Sequence, residues 1–225
     1  MPQKPFVLGE LSGLAVGDSS TSRAVIVLHG REMAGADLAP FAEAIHGEAY
    51  WLFPDAPLAA AAGGRTWWPI DSEARIRAIE AGPMDLSAMD PPGRAAARAQ
   101  LASLIAALPA DQPVVLAGFS QGGMLAMDYA LHAAETKSRA PSALALFSST
   151  RIALADWMPR AAALVGQRVL VAHGRGDREL AFAAGEALRD FATGGGANVT
   201  WLPFEGGHEL PFVVWRALKK LVRES

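Results

Sequence analysis

Cleaving an acyl bond takes a nucleophile, a base to remove its proton, and donors for the oxygen that becomes an anion. One stretch near the middle of this sequence could supply the first. It reads Val114-Val115-Leu116-Ala117, then Gly118-Phe119-Ser120-Gln121-Gly122-Gly123, then Met124-Leu125-Ala126-Met127-Asp128-Tyr129-Ala130. A short apolar run of strand type meets an apolar helical run, with a serine at the corner. So tight a turn needs small neighbours. Gly118 and Gly122 meet that need, because a Cβ at either place would strike the nearby backbone. The hydroxyl then stands clear of the strand, with a helix N-terminus behind it. That end presents unpaired N–H groups and partial positive charge, which suit a developing oxyanion. Gly-x-Ser-x-Gly alone is a weak signal; the strand before it, the helix after it and the partners downstream give it weight.

The base is sought among five histidines. His46 and His132 fall near helix C-terminal ends, where a cation suits the dipole. His29 and His173 end apolar runs and precede Gly, which suits loop-holding hydrogen bonds. His208 lies in a Gly-Gly-His loop after the last strand, the place where the chain order nucleophile, acid, base puts it. The acid should follow a strand between Ser120 and His208. Asp177 does, in a glycine-rich loop; Glu179 and Asp156 are the alternatives, and a surface turn is the bland reading of Asp177. The expected oxyanion donors are the backbone N–H groups of Gln121, just after the serine, and Arg31, in His29-Gly30-Arg31. Their side chains need not take part.

These residues need a scaffold that collects them at one edge. Apolar runs at Ala24 to Leu28, Tyr50 to Phe53, Val114 to Ala117, Ser142 to Phe147, Arg168 to Ala172 and Val199 to Pro203 read as strands, the continuous ones buried on both faces. Residues 1 to 23 read as an irregular start with edge strands at Phe6 to Leu8 and Leu14 to Val16. Asp37 is placed to cap a helix with Leu38, Phe41, Ala42 and Ile45 on one face. Further helices are expected over Ser72 to Ala81, over Gly93 to Leu108 (Leu101, Leu104, Ile105 and Leu108 inward), after the serine corner, and around Leu180, Ala184, Ala187, Leu188 and Phe191. The last begins near Pro211, with Phe212, Trp215, Leu218 and Val222 as its stripe. The class is therefore α/β: a mostly parallel central sheet with helices on both faces, in one domain over 1–225. Ligands then bind beyond the carboxyl ends of the strands, where the polar residues named above fall. About 20 residues separate Phe147 from Arg168, too few for a large lid domain, so an open site is expected. The long loop after Phe53 carries Trp67 and Trp68, candidates for a pocket wall or for plugs onto the core.

Composition narrows the function classes. Hydrophobic residues make up 51% of the 225-residue chain and charged ones 19%, which predicts a sizeable core. The formal net charge is −3 and no basic run stands out, so nucleic acid is not an expected partner. With no cysteine there is no disulfide, thiol nucleophile or thiolate metal site. The N-terminus lacks the apolar core of a signal peptide and no stretch is long enough to span a bilayer, so a cytoplasmic protein is expected.

Taken together, Leu28-His29-Gly30, Pro54-Asp55-Ala56-Pro57, Gly118-Phe119-Ser120-Gln121-Gly122-Gly123, His173-Gly174 with Asp177, and Gly207-His208-Glu209 resemble the phospholipase/carboxylesterase family of α/β-hydrolases, over nearly the whole chain and in order. That family includes small bacterial carboxylesterases and acyl-protein thioesterases. The resemblance implies a Ser120–Asp177–His208 triad, no cofactor, and hydrolysis of carboxylic esters or thioesters. Four departures stand out. Glu32 replaces the usual Gly two places after His-Gly. Ser149-Thr150 replaces Ser-Gly. Arg178-Glu179-Leu180 replaces a Val-Pro stretch that lines the pocket, which makes Leu180 a substrate-binding candidate beside Trp67 and Trp68. Phe204 replaces a tyrosine. All touch the substrate pocket, so deacylation of lipidated proteins is not carried over.

Two readings from different classes follow. One is a serine esterase working through an acyl-enzyme on small to medium acyl esters, with thioesterase or lysophospholipase activity as the alternative on the same triad. The other is a non-catalytic hydrolase-fold protein that binds a ligand in the same cleft. The expected partner is a small-molecule ester or thioester; assembly as a homodimer stays open.

Overall fold

The computed structural model describes residues 3–45 and 49–225. The chain runs β1 (Gln3–Leu8), β2 (Leu11–Val16), β3 (Ala24–Leu28), α1 (Gly35–Ile45), β4 (Tyr50–Pro54), the two-residue strands β5 (Leu58–Ala59) and β6 (Arg65–Thr66), then α2 (Ser72–Ala81) and α3 (Arg94–Ala106). It continues through β7 (Val114–Phe119), α4 (Gln121–His132), β8 (Ala143–Phe147), α5 (Leu154–Trp157), a 3₁₀ turn at Met158–Leu164, β9 (Arg168–Gly174), α6 (Phe182–Gly194), β10 (Asn198–Phe204) and α7 (Phe212–Glu224).

The eight-stranded sheet has the order β1-β2-β4-β3-β7-β8-β9-β10. From β4 to β10 all neighbours are parallel; β2 joins β1 and β4 antiparallel. The period-2 alternation of strand side chains sorts the sheet's residues into two cores. Ile26, Leu28, Leu116, Leu144 and Val171 pack with α3, α4 and α6, while Val25, Val27, Val115, Ala145 and Leu170 pack with α1 and α7. Both faces are covered, so β3, β7 and β8 are buried at every position. The helix after Ser120 is buried all round, because α3 and the 157–164 region pack on the side away from the sheet.

Several expectations need correction. The N-terminal stretch is a regular hairpin, with Leu8 opposite Leu11 and Gln3 opposite Val16; its turn uses Gly9 at φ +55°. Asp37 sits inside α1 rather than capping it from outside. Its carboxylate accepts the N–H of Ala34, while Asp55 accepts the N–H of Gly35. In α7, Phe212 is 54% exposed and Val214 takes its place beside Trp215, Leu218 and Val222. Pro211 stands just outside that helix as its N-cap. The strands at His173 and Phe204 run longer than their apolar runs, because each follows its parallel neighbour in register. His46, read as a helix-end histidine, and the side chain of Ile45 lie outside the described residues. No large lid domain is present among the described residues, yet α2 and the segment from Met84 to Pro92 wall the strand ends on one side, so the site is less open than expected.

The sheet and α4 meet with almost no space between them. A Cβ on Gly118 would lie 2.2 Å from the Gly122 carbonyl oxygen, and one on Gly122 would lie 2.3 Å from that of Leu28. Gly122→Ala should therefore destabilise the protein by at least about 1–3 kcal/mol, the usual cost of overpacking. Gly194→Ala, where nothing lies within 4 Å of the new Cβ, should leave stability unchanged or raise it by about 0.4–1 kcal/mol. Chemical denaturation of the two variants measures the contrast.

Candidate active site

Ser120 stands between β7 and α4 at φ +52° and ψ −116°, a conformation that costs energy for any residue with a Cβ. It persists because the surroundings over-determine it. Its N–H donates to Phe147 O and its carbonyl accepts from Gly123 and Met124, while Ser149 Oγ donates to the same carbonyl. The strained corner aims the hydroxyl at the loop after β10. There His208 Nε2 lies 2.9 Å from Ser120 Oγ, and His208 Nδ1 lies 2.7 Å from Asp177 Oδ2. A carboxylate only accepts, so Nδ1 carries the proton and Nε2 is free to accept from the serine.

Asp177 is fixed by the turn after β9. Its Oδ1 accepts the N–H groups of Glu179 and Leu180 at 2.8 and 2.9 Å. Its Oδ2 is also 3.3 Å from His173 Nε2, on a fully buried imidazole. Burial works to raise the Asp177 pKa. Hydrogen bonds from His173 and His208, with further help from the Leu180 N–H, outweigh it and hold the carboxyl well below the usual carboxylate range. Asp177 is thus a permanent anion at neutral pH.

The remaining candidates are placed as follows. Asp156 belongs to a separate network: its carboxylate meets Arg94, Arg160 and His132, beside a buried Asp128 that accepts from Arg94, Arg98 and Trp157 Nε1. Asp128, His132 and Asp156 are grouped closely enough for a metal ion, but arginines already supply the positive charge there. Glu179 approaches His208 from the serine side, 3.9 Å from Nε2, and is ion-paired with Arg75. Among the described residues no protein acceptor takes the backbone N–H of Arg31 or Gln121, and both residues line the cavity beside Ser120. Glu32, where glycine is usual in the resembled family, has φ +63°; glycine would adopt that without strain.

A cavity of about 420 Å³ opens beside Ser120, lined chiefly by apolar groups that include Trp68, Met84, Leu86, Met124, Ile152 and Leu180. Trp67 is not part of its lining. Instead, its Nε1–H donates to His29 O and its ring packs near the His29 ring, 5.3 Å between centroids. Of the adjacent pair, Trp67 plugs the core and Trp68 faces the cavity.

Two roles were not legible beforehand. The Gln121 side chain ties the tryptophan loop to the serine corner, its Oε1 accepting the Trp67 N–H at 3.0 Å and lying 3.0 Å from Thr66 Oγ1. His173 braces Asp177; the only advance signal was its spacing of four residues from that aspartate. His29 holds a loop, as expected: Nδ1–H donates to Gly30 O and Nε2 accepts the Ala56 N–H.

A strained serine at a strand–helix corner, with an imidazole and a buried carboxylate behind it at the carboxyl edge of a parallel sheet, defines an α/β-hydrolase. The chain belongs to the Phospholipase/Carboxylesterase family, whose model matches residues 14–224. Among solved structures, esterase PE8 is 24% identical with a TM-score of 0.73, covering 95% of this chain and 98% of its own. Acyl-protein thioesterase 2 of Zea mays is 21% identical at 0.76, covering 93% and 96%. A carboxylesterase from Mesorhizobium loti is 18% identical at 0.77, covering 100% of both chains. At these identities the likeness speaks for the fold. No curated protein matches the sequence significantly.

His29 generates a stability prediction. Burial, the foremost cause, lowers its pKa below the ordinary value of 6.5. As pH falls, the unfolded imidazole takes up a proton that the folded one refuses. The unfolded state then binds more protons, and stability is lost. Tm should therefore fall as pH drops from about 8 to about 5, and the fall should be shallower in His29→Gln, which keeps a donor and an acceptor but cannot titrate.

Proposed function

We propose that this chain is a serine hydrolase that cleaves carboxylic esters of small to medium acyl chains through an acyl-enzyme. The observation that carries the reading is His208, within hydrogen-bond reach of both Ser120 and Asp177. In this reading His208 Nε2 takes the Ser120 proton as Oγ attacks the carbonyl carbon. Asp177 holds the ring's orientation and stabilises the imidazolium. The N–H groups of Arg31 and Gln121 receive the oxyanion. His208 then gives its proton to the leaving alcohol, and the same base activates water to free the acid. The acyl chain lies in the apolar cavity with Trp68 and Leu180 on its wall.

Thioester cleavage is the second reading, supported by the fold's likeness to a protein described as an acyl-protein thioesterase; the first step is the same attack. A binding-only role is disfavoured, since a ligand site has no need of a strained serine aligned with an imidazole and a buried anion. We further propose a single domain over 1–225, working in the cytoplasm on small molecules without a cofactor. No helix among the described residues is long and apolar enough to cross a membrane, which accords with that reading.

Ser120→Ala should reduce p-nitrophenyl ester turnover by more than about 10³-fold with Tm unchanged. Asp177→Asn should lower the rate strongly and Asp156→Asn should not. Near-wild-type turnover by Ser120→Ala would overturn the assignment. Acyl length tests the cavity. Trp68→Ala should weaken octanoate esters more than acetate esters, by up to about 0.8 kcal/mol for each methylene that the indole no longer shields from water. Trp67→Ala should lower Tm and affect all chain lengths alike.

A further inference from the structure

Two chambers meet at Ser120, and their chemistry differs. The larger one is the apolar cavity. The smaller, about 210 Å³, is lined by His208 together with Arg31, Glu32, Arg75 and Glu179. His208 borders only the smaller of the two. Its Nε2 is the atom that must protonate the departing oxygen or sulfur, so on the serine-hydrolase reading, on which this inference rests, the small chamber holds the leaving group.

The charges there are not evenly committed. Arg31 donates to Glu32 and Arg75 donates to Glu179, one donor out of five in each guanidinium. Arg31 Nε is buried with no partner. The arginine side chains are the more sheltered members, 10% and 19% exposed against 27% for Glu32 and 32% for Glu179. Both arginines also line the mouth of the apolar cavity, where neither glutamate reaches. Burial, and next the positive charge of Arg75, push the Arg31 pKa down. Two like charges thus face the junction in a poorly hydrated setting, and the glutamates compensate them from the wetter rim. An oxyanion bridging the two guanidiniums would take up the idle donors and relieve the repulsion.

We propose that Arg31 and Arg75 form an anion-reading subsite for the leaving group, selecting esters or thioesters whose alcohol or thiol carries a carboxylate or a phosphate close to the scissile bond.

The test compares butyrate esters of short alcohols ending in a hydroxyl, a carboxylate, a phosphate or a trimethylammonium group. Wild type should favour the carboxylate or the phosphate ester over the hydroxyl ester by about tenfold or more in kcat/KM, in line with charge-assisted hydrogen bonds. The better of the two anionic arms identifies the group. In Arg75→Gln and in Arg31→Gln that ratio should collapse towards one. Arg77→Gln, on the exposed side of α2, should keep it. Equal losses on anionic and neutral esters in Arg75→Gln would mean a structural role only and overturn the proposal. So would preference for the trimethylammonium ester, which would give the chamber to Glu32 and Glu179. Turnover of the neutral ester without discrimination overturns this subsite alone, whereas no turnover of any ester overturns the esterase reading beneath it as well.

Discussion

The closeness of α4 to the ends of β3 and β7 is the constraint on which the rest depends. Backbone atoms of Gly122 lie against the Leu28 carbonyl and those of Gly118 against Gly122, a separation that no side chain could occupy. This contact lets the chain reverse from strand to helix within one residue, and it forces Ser120 into positive φ. It also brings the N–H of Gln121 and the loop after β3 to the same side of the sheet. Strain at one residue, of order 1–3 kcal/mol, is spread over a corner anchored to the end of β8 and the residues after it through the Phe147 and Ser149 hydrogen bonds.

Polarity is then concentrated where the strands end. Asp177 is an anion in a largely dry place, kept so by two imidazoles and two backbone donors. Each neighbour has a further partner. His173 Nε2 also reaches Leu180 O, and Glu179 is held to α2 by Arg75. The acid loop is tied in turn to the cavity wall, since Met84 donates to Glu179 O and accepts from Ala181 N–H. The proposed catalytic groups and the wall of the apolar cavity are thus one hydrogen-bonded unit, and movement of one would be felt by the other.

How much of this could be read from residues alone follows from the range of the forces involved. The central strands were legible because a strand covered on both faces is apolar at every position, as in Ala24–Leu28 and Ala143–Phe147. The order of Ser120, Asp177 and His208 was legible because glycine-rich turns mark strand ends. What escaped depends on contacts between distant segments. Nothing local distinguishes Trp67 from Trp68; the difference arises because the His29 carbonyl accepts one indole N–H. The Gln121 side chain gave no sign of reaching the tryptophan loop, and His173 gave only its spacing from Asp177. Phe212 fitted the helical stripe, but α7 meets the sheet a little rotated, so Val214 is buried instead. The network around Asp128 joins α3, α4 and α5, and no single segment announces it.

The central claim is that this geometry makes Ser120 a nucleophile. A fluorophosphonate reacts irreversibly with an activated serine, so mass spectrometry of the labelled protein tests the claim without knowledge of the substrate. The account predicts one adduct per chain on the peptide that carries Ser120, abolished in Ser120→Ala and strongly slowed in His208→Ala. An unlabelled Ser120 in a preparation that hydrolyses esters, or an adduct on another residue, would contradict it.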